Sequence, residues 1–576
     1  MGFYKNFKTV VYCVSEWAQH VTKEQLLNEI AFFQKYVGVD KVYLEPFRGT
    51  VASKEQIIMI KDTFTENGIE VAGGITTVTP NLNDEDAKRQ RLFTTFCYSN
   101  EPMRNRLKEM VEYTASFFDE FIIDDFYFTQ CMCEDCQKEK GDRSWEDYRL
   151  GKMVEVSNNL VLGPAKAVNP NVKVTIKFPN WMESYQETGY NPAIQTDMFD
   201  MIYTGTETRH AGQTDQHLPR YLSYSLMRYM ENHAPSKNGG GWFDPFECYP
   251  IDTYLEQAYL TAFSRPREMM MFCWSALYNN KVVTPLGFQM QKIDEILTEI
   301  GKPIGLPVYL PHNAQGEDHL EDYLGMAGIP FEPTPVFDHS AKEIFLTSAA
   351  LNDVDIVDKL KNYVREGGKA VVTSGFMIEA LNRGLGIEEM TSIRYRGRRN
   401  VANEYMVANN YKYGMNVIYG KETIEFPVLE HRNNASWSLI NAGSGDHHAS
   451  ILLKDTYGKG LLLTLVVPDM YSSIKKLPDE VLAKIRFELL GEGEVYLEAP
   501  AQISLFTFDD DTFGIYSYTA DHCRPLVAKV HVMKQVKELL RIGDRKEVIK
   551  PLYQTEFETV FEVPTMPGDY SFYRLS

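Results

Sequence analysis

Short apolar runs alternate with longer amphipathic segments from the beginning of the chain to about residue 300. The runs are rich in β-branched and aromatic residues, a pattern that predicts β-strands. The predicted strands are residues 9–14, 41–46, 70–76, 120–126, 173–178, 201–206, 240–245 and 269–274. Alternation of strands with helices implies parallel pairing, and eight such units predict a (β/α)8 barrel over residues 1–302.

The segments between these strands have the period of a helix. In residues 22–38 the side chains of Leu26, Ile30 and Phe33 recur on one face, and Tyr36 extends the same stripe. Thr22 precedes the segment as a candidate N-cap, and a glycine follows it. The pattern therefore predicts a helix that packs one face against the barrel.

The alternation continues after the barrel in a smaller α/β domain, predicted over residues 303–497. Its predicted strands are residues 306–311, 331–337, 343–349 and 369–375. A helix is predicted between Asp353 as its cap and Gly367 as its end. The remaining residues, 498–576, alternate and turn as antiparallel strands do, which predicts a small C-terminal β-sandwich.

Composition and charge narrow the function. The chain has 576 residues, of which 44% are hydrophobic, so it can fill several cores. Its formal net charge of -20 disfavours nucleic acid as a partner. There is no apolar run of the roughly 20 residues that a membrane-spanning helix needs, and the start of the sequence lacks a signal peptide with a cleavage site. We expect a cytoplasmic protein, or a periplasmic or secreted one if a signal peptide has been removed.

A cluster of cysteines follows predicted strand four in the segment FIIDDFYFTQCMCEDC. The spacing of Cys131, Cys133 and Cys136 allows three thiolates to bind one zinc ion, and Cys97 is the nearest candidate for a fourth ligand. A closed four-thiolate site would be structural, since a catalytic zinc keeps one position open. The alternative is ordinary thiols, or one disulfide with a spare thiol. No organic cofactor is expected. The isolated cysteines, predicted to be buried inert thiols, are Cys13, Cys248, Cys273 and Cys523.

Polar and aromatic residues accumulate at the carboxyl ends of the predicted strands, where the loops of such barrels form their active sites. The candidates for substrate binding are Glu45, Arg48, Lys177, Trp181, Tyr203, Arg209, Trp242 and Trp274. The candidate catalytic carboxylates are Asp124, Asp125, Glu207, Asp244 and Glu247. Indole rings that stack on a sugar, surrounded by carboxylates and cations that bind its hydroxyls, predict a carbohydrate site.

The order of the predicted domains and the cysteine positions resemble glycoside hydrolase family 42, the bacterial β-galactosidases. In some members of that family a cysteine after strand three and a C-x-C-x-x-C after strand four bind zinc, which matches Cys97 and the three later cysteines. The resemblance implies a glutamine-amidotransferase-like trimerisation domain, and we expect a homotrimer or another homo-oligomer. It does not extend to the catalytic residues, because Asp124 and Asp125 stand where the family has Asn-Glu. On strand seven, only Asp244 or Glu247 could replace the family's nucleophile.

Glycoside cleavage requires two carboxyl groups, ~5 to 5.5 Å apart for retention of configuration and ~6.5 to 9.5 Å apart for inversion. Our first hypothesis is a retaining, exo-acting glycosidase similar to α-glycosidases, with Asp125 as nucleophile and Glu207 as acid/base. In the second, Asp125 is the acid/base and Glu247 or Asp244 the nucleophile. In the third, the barrel binds carbohydrate without cutting it or uses a catalytic metal, although histidines are scarce there. Arg48, Lys177 and Arg209 would suit an acidic sugar or could pair with the carboxylates.

Overall fold

The computed structural model describes residues 2–78, 88–90, 93–491, 495–518 and 526–576. Cys523, one of the predicted inert thiols, lies outside these ranges. The chain divides into two compact units. One consists of Met1–Leu218 and Leu222–Thr298, and the other of Pro219–Tyr221 and Glu299–Ser576. The predicted domain boundaries at residues 302 and 497 remain predictions.

Eight parallel strands close the first unit into a barrel, as predicted. In chain order they are β1 (Lys8–Cys13), β2 (Lys41–Leu44), β3 (Glu70–Ile75), β4 (Glu120–Ile123), β5 (Lys173–Phe178), β6 (Met201–Gly205), β7 (Asn238–Phe243) and β8 (Glu268–Phe272). Each strand pairs with its neighbours in sequence, and β1 pairs with β8 to close the ring. All eight predicted strands are present, and the predicted one after residue 120 ends early, before the two aspartates.

Helices cover the outside of the barrel. The longer ones are Lys23–Tyr36, Lys54–Glu66, Glu101–Ala115, Trp145–Val156, Leu222–His233, Asp252–Phe263 and Val283–Glu299. Shorter helices are Ser15–Ala18, Glu134–Lys140, Gly163–Val168, Tyr185–Thr188, Pro192–Met198 and Trp274–Leu277. The predicted cap of the first long helix is confirmed, because the Thr22 hydroxyl accepts a hydrogen bond from the backbone of Gln25 in a capping box.

The barrel interior changes from charged to apolar to charged along its axis. At the amino ends of the strands, Lys41 Nζ lies 2.7 Å from Glu120 and 3.1 Å from Glu268. The middle is a cluster of buried side chains that includes Val10, Ile122 and Met270. The charged groups at the carboxyl ends lie above this apolar layer, which therefore separates them from the lower ionic cluster.

The second unit begins with a sheet of nine strands. Its order is Phe331–Thr334, Leu306–Tyr309, Glu343–Leu346, Lys369–Thr373, Gly460–Leu465, His447–Tyr457, Trp437–Ser444, Ile393–Ala408 and Met415–His431. The first five are parallel and the rest antiparallel. The helices of this unit include Leu320–Met326, Ile356–Glu366, Ser374–Asn382 and Asp479–Leu490. The α/β region predicted after the barrel is confirmed, but Asp353 is not the helix cap: its carboxylate accepts a bond from the backbone of Asp355, which occupies that position.

Two antiparallel sheets follow and form the predicted β-sandwich. One has the order Pro303–Ile304, Ile503–Phe508, Thr512–Ser517, Tyr570–Leu575, Leu539–Arg541 and Val548–Ile549. The other has the order Val495–Glu498, Leu526–Val532, Thr559–Thr565 and Tyr553–Gln554. Inward-facing residues of both sheets, among them Leu497, Leu505 and Val530, share one buried core. In the described ranges, no helix has the length and apolar character needed to cross a membrane.

Candidate active site

A cavity of about 300 Å³ opens at the carboxyl ends of the barrel strands. Loops after β3 to β7 supply its walls, as expected for a barrel active site. The lining residues are Phe93, Asp125, Phe126, Asn180, Trp181, Glu207, Arg209, Thr214, Asp215, Gln216 and Glu247. Five of them, Asp125, Trp181, Glu207, Arg209 and Glu247, belong to the set predicted from the sequence.

Lys177 joins the two carboxylates of the first hypothesis. Its Nζ lies 2.9 Å from Asp125 Oδ2 and 2.6 Å from Glu207 Oε1. Because both oxygens lie that close to the same nitrogen, they can be no more than 5.5 Å apart. The ammonium also lies 4.2 Å from the ring centre of Trp242, a buried residue of the apolar layer inside the barrel. Lys177 therefore acts as a bridge within the site, where the sequence suggested a ligand for the substrate.

Burial makes the two carboxylates different. The Asp125 side chain is 15% exposed and that of Glu207 is 5% exposed. Burial raises the pKa of Glu207, with further contributions from the charges of Asp125 and Asp244, while Lys177 opposes the rise. Burial alone would lower the pKa of Lys177, but the two carboxylates more than offset it and raise that pKa. Lys177 thus stays charged, and Glu207 is suited to hold a proton.

Hydrogen bonds fix the backbone beside both carboxylates. The Tyr190 hydroxyl donates to the Asp125 carbonyl at 2.9 Å, and Asn180 Nδ2 donates to the Glu207 carbonyl at 2.8 Å. Gly205 leaves room for the Glu207 side chain, because a Cβ atom at this position would lie 2.6 Å from Glu207 Oε2. A larger residue at the end of β6 would therefore displace this carboxylate.

A second ionic group lies at the mouth of the barrel around Arg48. This guanidinium donates two hydrogen bonds of 2.9 Å to Glu45, and its Nη2 lies 3.6 Å from Asp124 Oδ2. The Tyr12 hydroxyl donates to the same Glu45 carboxylate at 3.0 Å. Burial raises the pKa of Asp124 to about 8, although Arg48 opposes the shift. Asp124 does not line the cavity, which leaves Asp125 as the cavity carboxylate of this pair.

A third ionic group connects the loops after β6 and β7. Arg209 donates to both oxygens of Asp244, at 3.0 and 2.6 Å, and its Nη1 lies 3.6 Å from Glu247 Oε2. The sequence analysis allowed Arg209 to pair with a carboxylate, and its closest partner is Asp244. Asp244 is buried, whereas the Glu247 side chain is 45% exposed at the rim.

Of the eight predicted substrate ligands, Trp181 and Arg209 line the cavity and the other six do not, and for Tyr203 and Trp274 the assignment is corrected. Tyr203 points down the barrel, where its hydroxyl donates to Glu268 at 3.2 Å. Trp274 is completely buried and donates to Glu29 at 2.6 Å, while its ring packs against Phe33 with centroids 4.1 Å apart. Both residues stabilise the barrel. Their positions near strand ends do not bring them to the cavity because their side chains point into the core.

The sequence analysis missed six lining residues. They are Phe93, Phe126, Asn180, Thr214, Asp215 and Gln216. Phe126 and Asn180 directly follow β4 and β5, so their position was the available signal. Phe93 packs edge-on against Phe126 with centroids 4.6 Å apart. The loop residues 214–216 come far after β6, and no local pattern distinguishes them.

The four predicted zinc ligands converge. The ligand atoms of Cys97, Cys131, Cys133 and Cys136 all lie within 4.8 Å of one another. Cys97 Sγ lies 3.7 Å from Cys133 Sγ and 3.6 Å from Cys136 Sγ, and the latter two lie 3.7 Å apart. Four thiolates bound tetrahedrally at about 2.3 Å from zinc would stand about 3.8 Å apart. The cluster therefore fits a zinc ion.

Comparison with known proteins agrees with the geometry of the barrel. Residues 1–295 match the family described as "Probable glycosyl hydrolase, catalytic domain". The chain belongs to this family of probable glycosyl hydrolases. The prediction that the chain is a glycoside hydrolase therefore agrees with its family. Residues 301–470 match the second domain of the uncharacterised protein SSO3021. That protein, from Saccharolobus solfataricus, is 30% identical over 403 residues, a match that covers 62% of this chain and 65% of the relative.

Solved structures resemble this probable glycosyl hydrolase along its whole length. An α-L-fucosidase isoenzyme from Paenibacillus thiaminolyticus aligns with a TM-score of 0.64 at 13% identity, covering 99% of this chain and 100% of the other. A family 42 β-galactosidase from G. stearothermophilus aligns at 0.62 and 11% identity, covering 100% of each. A β-galactosidase from Rahnella sp. R3 aligns at 0.61 and 12% identity, covering 98% and 99%. At these identities the likeness concerns the fold, and the predicted resemblance to family 42 is confirmed at that level.

Proposed function

We propose that this protein is a retaining, exo-acting glycosidase in which Asp125 is the nucleophile and Glu207 the acid/base. The observation that carries the proposal is the shared Lys177 ammonium, which limits the two oxygens to a separation of at most 5.5 Å. Retaining glycosidases hold their carboxyl groups ~5 to 5.5 Å apart. The cavity volume of about 300 Å³ is at the small end for ligand pockets, which favours one terminal sugar.

The proposed reaction has two steps. Protonated Glu207 donates its proton to the glycosidic oxygen while an Asp125 oxygen attacks the anomeric carbon, which breaks the glycosidic bond and forms a glycosyl ester. Ionised Glu207 then takes a proton from water, and the water oxygen attacks the same carbon and releases Asp125. Lys177 stabilises Asp125 as a carboxylate before the attack and Glu207 as a carboxylate after it has donated its proton. Trp181 at the cavity wall offers an indole face to the sugar.

The alternative catalytic pair has less support. Asp244 is buried and both its oxygens accept bonds from Arg209, so an attack on a substrate would require that pair to separate. Glu247 lines the cavity but lies at its exposed rim. For a catalytic metal, the only cluster of ligand atoms found among the described residues is that of the four cysteines, which suits a closed site.

Anion rescue separates the roles of the two carboxylates. On the aryl glycoside that the wild type cleaves fastest, Asp125→Ala should lose at least about 10³-fold in kcat, and azide should restore turnover with formation of the glycosyl azide of inverted configuration. Glu207→Ala should lose much less activity on a dinitrophenyl glycoside than on an alkyl glycoside, because a good leaving group needs no proton. Asp215→Asn, at the cavity wall but outside the proposed pair, is the matched control. Full activity in Asp125→Ala, or a wild-type product of inverted configuration, would refute the assignment.

We also propose that the four cysteines bind one structural zinc ion. The support is the spacing of their sulfurs and their place in two loops, one before helix Glu101–Ala115 and the other at the start of helix Glu134–Lys140. Zinc would tie these loops together beside the cavity. The homotrimer implied by the family resemblance remains a prediction, which sedimentation equilibrium of the purified chain can test.

A further inference from the structure

Among the described residues, three cations at the carboxyl end of the barrel are each shared by two carboxyl groups. The sets are Arg48 with Glu45 and Asp124, Lys177 with Asp125 and Glu207, and Arg209 with Asp244 and Glu247. Six carboxyl groups thus surround three cations, and four carboxylates remain when Asp124 and Glu207 hold the protons that their raised pKa values favour. A sugar carboxylate that approached any of these cations would compete with a carboxylate that the protein already holds in place.

The cavity wall also carries more carboxyl groups than cations. Among the described residues that line it are four carboxyl groups, those of Asp125, Glu207, Asp215 and Glu247, and one guanidinium, that of Arg209. The Arg209 side chain is 24% exposed, and its Nε and Nη2 are directed to Asp244. The other polar wall residues, Asn180, Thr214 and Gln216, carry no charge. Amide and hydroxyl groups bind sugar hydroxyls, but they do not compensate an added negative charge.

We propose, on the basis of the glycosidase function proposed above, that this site selects a terminal sugar without negative charge and rejects uronic acids and sulfated sugars. The cations have an internal role, which is to hold the carboxylates in position. Juxtaposed like charges at an interface cost several kcal/mol, which corresponds to a discrimination of at least about 100-fold.

The test compares substrates that differ only at C6. For the gluco, galacto and manno series in both anomers, kcat/KM of the wild-type chain is measured on the 4-nitrophenyl glycoside, the corresponding uronide and the uronamide. The uronamide has nearly the shape of the uronide but no charge, so it separates charge from size. In the series that is cleaved, we expect kcat/KM for the uronide to be at least about 100-fold lower than for the uronamide. This ratio should fall at high salt, since salt screens charge.

Two variants test whether the discrimination between uronide and uronamide depends on the charges of the cavity wall. Asp215→Asn removes one wall carboxylate outside the proposed catalytic pair and should reduce the discrimination by up to about 5-fold. Asp62→Asn, on the exposed face of helix Lys54–Glu66, does not touch the cavity and should leave the discrimination unchanged.

A uronide cleaved as well as its uronamide would overturn the selectivity and leave the glycosidase function intact. Failure to cleave any glycoside, uronide or uronamide in the panel would count against the proposed function itself and against the inference that rests on it.

Discussion

Replacement of Lys177 by Met tests the bridge between the two carboxylates without requiring a known substrate. Methionine is similar in length and can occupy the space above Trp242. It leaves two carboxyl groups at most 5.5 Å apart with no cation between them. At an effective dielectric constant of about 20, two unit charges at that distance repel by about 3 kcal/mol, or about two pKa units, a repulsion that the ammonium offsets in the wild type and that nothing offsets in the variant. The pair should therefore retain one proton to a pH about two units higher than in the wild type.

The sign of the pH dependence follows from this shift. A carboxyl group whose pKa in the folded state lies above its unfolded value of about 4.3 destabilises the fold when it is ionised. The Lys177→Met variant should therefore regain stability relative to the wild type as the pH falls from 8 to 5. Lys177→Arg keeps the charge and serves as the control, with a pH dependence close to that of the wild type. Tryptophan fluorescence during urea unfolding mainly reports the barrel, because five of the six tryptophans belong to that unit. A stability difference between Met variant and wild type that stays constant from pH 5 to 8 would refute the bridge.

Three further predictions concern stability. Cys133→Ser should lower both the zinc content and the melting temperature, whereas Cys248→Ser should change neither; a metal-free wild type with an unchanged melting temperature would contradict the zinc site. His531 lies between two glutamates that raise its pKa despite the opposing effect of burial. Protonated His531 should stabilise the fold below about pH 6.5, and this stabilisation should disappear as the pH rises through its higher folded pKa. The difference in unfolding free energy between the wild type and His531→Gln should therefore become smaller as the pH rises. A difference that does not change with pH would exclude the effect. Arg486 is completely buried and donates to four backbone carbonyls. Arg486→Met should cost roughly 3 kcal/mol or more in urea unfolding, because each buried carbonyl left without a partner costs about 1 to 3 kcal/mol, and a loss below about 1 kcal/mol would show that the carbonyls find other partners.

Local sequence patterns were sufficient for the barrel because a strand and the helix after it are each encoded within a few residues. The strand signals lay within short apolar runs, and the Thr22 cap lay beside its helix. The cysteines could be grouped for a similar reason, since three of them fall within six residues and share a chemistry. The partners of charged residues could not be predicted in this way. Lys177 meets Glu207 across thirty positions of chain, through two adjacent strands.

The sequence pattern also could not predict the direction in which a side chain points. Trp274 and Trp181 both follow the end of a barrel strand, yet one is completely buried against the covering helices and the other lines the cavity. The difference arises from the path of each loop after its strand. Position at a strand end is therefore not a sufficient condition for a place in the site.

The sequence by itself determined the eight strands, their parallel order, the regions that follow the barrel and the group of four cysteines, because these depend on short-range periodicity and composition. Only the tertiary structure decided which carboxylates share a cation. It paired Asp125 and Glu207 through Lys177, removed Asp124 to a separate group with Arg48, and bound Arg209 to Asp244. Most of these ionic contacts join the ends of neighbouring strands, and they depend on the alignment of those strands in the barrel, which brings together residues that lie tens of positions apart in the chain.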